Sequence, residues 1–173
     1  LESKAEEFAA DPLSQAAAAV DESRNAAASS NWEDAIASAE ESQTYSQNAA
    51  QQSYQIQTDD LRESAQAEID EAKTAGAPSY AADLYNKALA AANNSKVAYD
   101  EKHFRTALEQ LTEARDFAFE ARHYQIDQGQ LAIDSAIAAK SDEYQKDLLG
   151  QALSDLSEAR AKMEDRQYAE SLA

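Results

Sequence analysis

Apolar side chains recur along this chain at the three- and four-residue spacing of a helix, and alanine fills many of these positions. One such series runs from Ile36 to Ala72 and is stopped by Gly76-Ala77-Pro78, so it predicts a helix of more than thirty residues. The stretch Thr58-Asp59-Asp60 is where this helix could break. A later series continues through Ile137, with Gly129 as a plausible kink. With only three glycines and two prolines in the chain, few and long helices are favoured, and the predicted fold is all-α.

Short polar residues before these series predict where the helices begin. Asp11 followed by proline suggests a cap and first turn, and Ser30 with Glu33 has the spacing of a capping box. The predicted N-caps are Asp11, Ser30, Ser79, Asp100 and Ser141.

The aromatic and aspartate positions of one segment recur elsewhere in the chain. The string from Tyr80 to Leu89 matches the string from Tyr144 to Leu153 without a gap, and an earlier copy begins at Phe8. The repeated structural positions are Phe8, Asp11, Trp32, Asp83, Tyr144, Asp147 and Tyr168. Self-similarity at such a period is typical of stacked helical repeats, which usually bind or space other molecules.

The repeat predicts three domains joined through long helices. They are a first helical repeat at 1–66, a second at 67–130, and a third at 131–173 that is incomplete at its C-terminus. Antiparallel hairpins connected in this way would form an elongated array. The incomplete copy leaves an unpaired apolar face around Leu148, Leu149 and Leu153, and a homodimer through the C-terminal end would cover it.

Three short strings share an aromatic residue followed by a small residue and an aliphatic one. They are Asn31–Ile36, His103–Leu108 and Gln167–Leu172. They resemble the segment that opens the second half of a tetratricopeptide motif, where a ring fills the hairpin corner and a small residue one turn later permits close crossing. The period here is about twice that family's ~34 residues and its Trp-Leu-Gly-Tyr opening is absent. The predicted array is therefore tetratricopeptide-like.

A second resemblance covers about residues 67–125. The string from Ile69 to Tyr80, followed by Leu84, Ala88 and Phe104, is similar to an uncharacterised bacterial family of alanine-rich helical repeats in cell-envelope proteins. Its members often accompany peptidoglycan-binding or OmpA-like modules, and the Ala-Gly-Ala-x-x-Tyr string is its most recognisable piece. The resemblance implies a periplasmic or envelope-associated location and a non-enzymatic role.

The formal charge of −18 on 173 residues narrows the class of partner. So acidic a chain repels phosphate backbones, which argues against nucleic acid, and it is compatible with basic protein partners or with weak cation association. Aromatic residues that recur in register argue against a disordered acidic tail. The chain has no cysteine, so thiolate metal sites and cysteine nucleophiles are excluded. No apolar run approaches the roughly 20 residues of a membrane span, so no membrane insertion is expected in this segment.

Candidate catalytic residues are few. His103 and His123 would lie about 160° apart around one straight helix, so they cannot share a metal ion. Asp11, Asp83 and Asp147 each fall near a helix start, where a carboxylate satisfies backbone N–H groups. Phosphate-loop, nucleophile-elbow and zinc-protease motifs are absent from the sequence. The prediction is a protein without enzymatic activity, cofactor or metal.

Aromatic side chains of the central copy are the candidate binding residues, because exposed rings often dominate binding energy. They are Tyr80, Tyr85, Tyr99, Phe104, Phe117, Phe119 and Tyr124, with Tyr45 and Tyr54 as secondary candidates. Phe117 and Phe119 lie about 200° apart around a helix, so one of them is expected to face away from the seam. Packing between copies is the alternative role for most of these rings.

Three functions fit these observations. The first is a protein-interaction scaffold in the bacterial cell envelope, and the second is a rod-like structural spacer. The third is a small-ligand-binding protein that uses the aromatic cleft of the central repeat, around Tyr80 and Phe104.

Overall fold

The structure is a computed structural model, and it describes residues 4–139 and 145–165. All secondary structure in these ranges is helical, which confirms the predicted all-α fold. The helices are α1 (Ala5–Phe8), α2 (Ala10–Ala28), α3 (Trp32–Thr74), α4 (Ala77–Tyr80), α5 (Ala82–Asp100), α6 (Phe104–Ala138) and α7 (Lys146–Glu164). The predicted repeat positions Tyr144 and Tyr168 and the predicted cap Ser141 lie outside the described residues.

The described residues form two compact units. The first contains residues 4–63 and 92–112, and the second contains residues 64–91, 113–139 and 145–165. The predicted domain boundaries follow the repeats of the sequence instead of these units, and they stay a prediction.

Helix α3 continues for 43 residues, so the predicted break at Thr58-Asp59-Asp60 is wrong. Within the first unit, two of the three side chains that suggested a break are used in contacts. Thr58 is fully buried and its Oγ1 donates to the carbonyl of Tyr54 at 2.7 Å. Asp59 accepts a hydrogen bond from the hydroxyl of Tyr99. Helix α6 likewise continues through Gly129.

The capping box expected at the start of α3 is also wrong. Ser30 has a φ of 59°, in the left-handed region, and forms the turn between α2 and α3. The helix begins two residues later, and the side chain of Asn31 donates to Asp34. The bond between Asn31 and Asp34 thus takes the place of the one expected between Ser30 and Glu33.

The other predicted caps that lie among the described residues fall inside helices. Asp11 is the second residue of α2, and Asp83 and Asp147 take the same place in α5 and α7. In that first turn their carboxylates complement the positive end of the helix dipole, without acting as N-caps. Ser79 lies within α4 and Asp100 is the last residue of α5.

Helix bounds recur at the same offsets as the sequence strings. Helices α4 and α5 begin and end at the residues that follow those of α1 and α2 by the offset from Phe8 to Tyr80. Helix α7 follows α5 by the offset from Tyr80 to Tyr144. The turns that follow α2 and α5 also share a left-handed residue, Ser30 with φ 59° and Lys102 with φ 64°. Local conformation therefore follows the sequence periods closely.

A serine bonds across each of two equivalent hairpins, the first hairpin formed by α2 with α3 and the second hairpin formed by α5 with α6. The Oγ of Ser23 donates to the carbonyl of Ala35 in the first, and the Oγ of Ser95 donates to the carbonyl of Ala107 in the second, both at 2.7 Å. A side chain as short as serine reaches a neighbouring backbone only where two helices approach closely. The bond also satisfies a hydroxyl that would be costly to bury alone.

Alanine forms most of the buried surface in each unit. Fully buried alanines include Ala49 and Ala107 in the first unit, and a larger set in the second: Ala65, Ala72, Ala77, Ala88, Ala114, Ala118 and Ala121. Larger apolar side chains add to this at a few points, such as Leu108, Ile69 and Met163. Small side chains let helix backbones approach and leave little room for enlargement.

Two helical glycines are expected to respond differently to alanine. A Cβ at Gly150 would meet no described atom within 4 Å, whereas a Cβ at Gly129 would lie 3.2 Å from Cδ1 of Leu156. Gly150→Ala should raise the free energy of unfolding by about 0.5–1 kcal/mol. Gly129→Ala should gain less, because the contact with Leu156 opposes the helix preference. Urea unfolding followed by circular dichroism measures both, and equal gains would contradict the close approach at Gly129.

Candidate functional site: an aromatic cleft in the second unit

The seven aromatic candidates divide between the two units. Tyr99 and Phe104 belong to the first unit, and the second holds Tyr80, Tyr85, Phe117, Phe119 and Tyr124. The structure therefore provides two groups of rings with different surroundings.

In the first unit the Tyr99 ring is held on several sides. Its hydroxyl donates to Oδ2 of Asp59 at 3.0 Å and accepts from Nε2 of Gln55 at 3.3 Å. The guanidinium of Arg62 lies 4.5 Å from the ring centroid, and Phe104 packs edge-on at 5.2 Å. With its hydroxyl and ring both engaged, Tyr99 joins the end of α5 to α3. This arrangement is typical of a structural role.

In the second unit Tyr80 and Tyr124 stack beside an open cleft. Their ring centroids are 6.5 Å apart with 20° between the planes. The hydroxyl of Tyr80 donates to the carbonyl of Arg122 at 3.3 Å, whereas Tyr124 remains 37% exposed. The cleft has a volume of about 450 Å³. It is lined by Ala81, Ala82, Asp83, Leu84 and Tyr124.

The Ala-Gly-Ala-x-x-Tyr string places Tyr80 at this cleft. Gly76 has a φ of 87°, a conformation that side chains with a Cβ rarely adopt, and a Cβ there would lie 3.3 Å from the Tyr80 ring. Ala75 and Ala77 on either side are buried. Ala81 then separates α4 from α5 with a φ of −131° and a ψ of 40°. This break lets the start of α5 line the cleft while Tyr80 stays behind it.

Arg122 carries a buried ion-pair network that sequence reasoning missed. Its guanidinium pairs with Glu68 at 2.9 Å and with Glu71, and it lies 5.4 Å from the centroid of Phe119. Glu68 and Glu71 are three residues apart and share one face of α3, which is a signal in the sequence. Nothing in the sequence connects that face to an arginine about fifty residues later. The backbone carbonyl of Arg122 accepts the hydrogen bond from Tyr80.

The remaining rings of the second unit lie apart from the cleft. Phe119 is half exposed and its ring lies 4.1 Å from that of His123. Phe117 is partly buried with Nζ of Lys87 5.6 Å from its centroid, so these two phenylalanines do face different surroundings, as their spacing predicts. Phe119 and Tyr124 are about 140° apart around α6 and cannot contribute to one narrow site. Tyr85 is partly buried.

The two histidines have separate local contacts. Nδ1 of His103 lies 3.4 Å from Glu101, and Nδ1 of His123 lies 2.9 Å from the carbonyl of Phe119. Across residues 4–139 and 145–165, no group of three or more histidine or acidic side chains is arranged to hold a metal ion. None of the helices in those ranges is long and apolar enough to span a membrane.

Burial raises the pKa of Tyr80 above the ordinary tyrosine value of 10.0. The folded state therefore keeps this proton more strongly than the unfolded state, and the stabilisation is present below pH 10 and lost as the pH rises through the folded pKa. We expect the free energy of unfolding to fall more steeply above pH 10 in the parent protein than in Tyr80→Phe. Urea unfolding at several alkaline pH values measures the two slopes. Equal slopes would show that Tyr80 is not desolvated.

Comparison with known proteins adds no relative: no protein-family model, curated protein or solved structure matches the chain. The resemblances to the tetratricopeptide motif and to the envelope family therefore stay predictions.

Proposed function

We propose that this chain is a non-catalytic helical-repeat module that binds a partner protein, and that a side chain of the partner docks in the cleft beside Tyr124. The exposed ring of Tyr124, stacked on Tyr80, is the observation that carries the proposal. A ring already stacked on Tyr80 loses little conformational freedom on binding, which favours its use as an anchor. The carboxylate of Asp83 at the cleft favours a lysine or arginine next to the docked group.

A site-specific cross-linker tests this docking site. A photoreactive residue in place of Tyr124 should give a discrete adduct in extracts of the source cells, and Leu84→Ala in the same protein should weaken it several-fold. A photoreactive residue in place of Glu22, exposed on α2, is the control and should give no such adduct. Equal adducts from both positions, or none from Tyr124, would reject the cleft as a binding site.

The proposed architecture is a tetratricopeptide-like, elongated array. The recurrence of helix bounds at the two repeat offsets and the equivalent turns at Ser30 and Lys102 support the repeat. Small-angle scattering tests the elongation, which requires a radius of gyration well above the ~16 Å of a compact chain of this length. A value near ~16 Å would exclude it.

The proposed setting is the bacterial cell envelope, and the Ile69–Tyr80 string supports it. Fractionation of the source cells, with detection of the natural protein by antibody, tests this setting. Recovery in the cytoplasmic fraction alone would reject it.

A small-ligand-binding protein is the second candidate, and the cleft volume favours it. At about 450 Å³, the cleft falls within the range of small-molecule sites. Thermal-shift screening with small molecules tests this function. A molecule that raises the melting temperature of the parent protein but not of Leu84→Ala would support it over protein binding. A rod-like spacer, the remaining alternative, would tolerate both substitutions at the cleft and replacement of the segment by an unrelated helical one of equal length.

We also propose that the chain pairs with a second copy through its C-terminal end. Leu148 and Leu153 are exposed on α7, and an apolar groove of about 230 Å³ lies between α6 and α7, lined by Ala136 and Leu149 among others. Sedimentation over a concentration series should show a dimer that Leu148→Glu dissociates. A monomer at all concentrations would exclude the pairing.

A further inference from the structure

Trp32 and Ile36 form an exposed apolar stripe at the start of α3. Their exposed fractions are 64% and 61%, and they lie one turn apart on the same side of the helix. Sequence reasoning assigned Trp32 only a structural repeat position. The structure instead leaves both side chains at the surface of the first unit.

The equivalent side chains of the second hairpin, Phe104 and Leu108, are less exposed than Trp32 and Ile36. Leu108 is only 4% exposed. Phe104 packs against Tyr99, and its carbonyl accepts a bond from Thr58 of α3 at 3.4 Å. In the second hairpin, the side of helix α3 thus lies against the start of α6. We expect the start of α3 in the first hairpin to accommodate a helix in the same way.

Trp32 lacks the ring that holds Phe104. The residue equivalent to Tyr99 in the first hairpin is Ala27, which offers no aromatic edge. Among the described residues, the stripe therefore takes the place of the corner that α3 contacts in the second hairpin, but it has no ring at the position of Tyr99 and remains exposed.

Acidic side chains border the stripe. Glu33 and Glu40 are about 100° and 80° around α3 from Trp32, on the side opposite the buried Ala35. From residue 25 to residue 61 the sequence has six acidic residues and no lysine or arginine. A helix that covers this stripe would therefore bind more favourably if its charges were positive.

The corners of the two hairpins also differ in charge. Residues 29–36 of the first hairpin include two acidic residues and no basic one, whereas residues 101–108 of the second include two basic residues and one acidic one. The covering segment of α3 in the second case carries Asp59 and Asp60. In the second hairpin, acidic residues of α3 thus lie near a basic segment. In the first hairpin the segment is acidic, so we expect the helix that binds it to be basic.

We propose that the pair Trp32 and Ile36, the Trp32 stripe, together with the bordering Glu33 and Glu40, binds a cationic amphipathic helix of a partner protein. Apolar residues of that helix, one turn apart, pack on Trp32 and Ile36, and neighbouring lysines or arginines lie against the two glutamates. The stripe belongs to the first unit, so this proposal is independent of the cleft at Tyr124.

Trp32 provides the measurement, because it is the only tryptophan of the chain. The probe is a synthetic helix of roughly 15 residues with leucines one turn apart and lysines beside them. One control peptide has glutamate in place of lysine, and another has the same composition in scrambled order. Burial of the indole should shift its emission to shorter wavelength, saturably for the probe and not for either control.

Matched variants identify the residues that bind. Ile36→Ser should weaken binding about tenfold, and Glu33→Gln with Glu40→Gln should do the same at low salt. The control Glu22→Gln with Asp127→Asn removes the same charge from exposed positions elsewhere and should change affinity less than about twofold. All four carboxylates and Ile36 are exposed, so each variant should change the free energy of unfolding by less than about 1 kcal/mol.

Several outcomes would overturn the proposal. Equal binding of the scrambled peptide, or equal loss in the Glu22 and Asp127 control, would mean that net charge alone attracts the probe. Binding without an emission shift would place the site elsewhere. Self-association abolished by Trp32→Ala would make the occupant a second copy of the chain. Leu84→Ala should leave probe binding unchanged, which separates this result from a failure at the cleft.

Discussion

Arg122→Met is expected to lower the free energy of unfolding by about 3 kcal/mol, because it leaves two carboxylates without their counter-charge. The side chains of Arg122, Glu68 and Glu71 are only 11%, 18% and 15% exposed. Water can therefore replace little of the interaction that the guanidinium provides.

Urea unfolding followed by circular dichroism measures this loss. Arg105→Met is the matched control, since the pair between Arg105 and Glu109 is 62% and 42% exposed. It should cost less than about 1 kcal/mol. Neutralising the carboxylates as well, in Arg122→Met with Glu68→Gln and Glu71→Gln, should recover part of the stability. Similar losses for the Arg122 and Arg105 variants would show that burial does not strengthen the network.

Ala107→Leu is expected to destabilise the protein by about 3 kcal/mol through overpacking. Ala107 is fully buried, and its carbonyl accepts the hydrogen bond from Ser95 at 2.7 Å. A leucine has no space at this crossing, so α5 and α6 must separate and the bond from Ser95 must lengthen. Ala35→Leu, at the equivalent position of the first hairpin, should act in the same direction.

The control for this substitution is Ala37→Leu, which adds the same side chain at an exposed position of α3. It should change stability by less than about 0.5 kcal/mol. Denaturant unfolding of the three variants gives the comparison. If Ala107→Leu were as stable as Ala37→Leu, the close approach of α5 and α6 would be incorrect.

Both proposed binding surfaces have acidic borders. Asp83 lies at the cleft, and Glu33 and Glu40 lie beside the Trp32 stripe. Partner binding at either surface should weaken with added salt, because exposed charge pairs are screened within about 10 Å at 0.1 M ionic strength. The apolar contacts would keep a residual affinity at high salt, in contrast to binding by net charge alone.

Local features of the sequence determined much of the secondary structure. Helical spacing, abundant alanine and scarce breakers predicted long helices, and both repeat offsets of the sequence reappear in the helix bounds. These properties depend on neighbours within a few turns. The predicted caps at Asp11, Ser30, Ser79 and Asp100 are wrong because several short polar residues lie near each boundary and their local preferences differ little.

Only the tertiary structure decided which faces are covered. Trp32 and Phe104 occupy equivalent positions in the sequence, yet one ring is exposed and the other packs against Tyr99. Helix α3 continues past Asp59, and the carboxylate of Asp59 accepts a hydrogen bond from Tyr99, which lies 40 residues away in the sequence. Arg122 finds its carboxylates about fifty residues away. Periodicity shows that a helix has an apolar or charged face, but the partner of that face depends on contacts between distant segments.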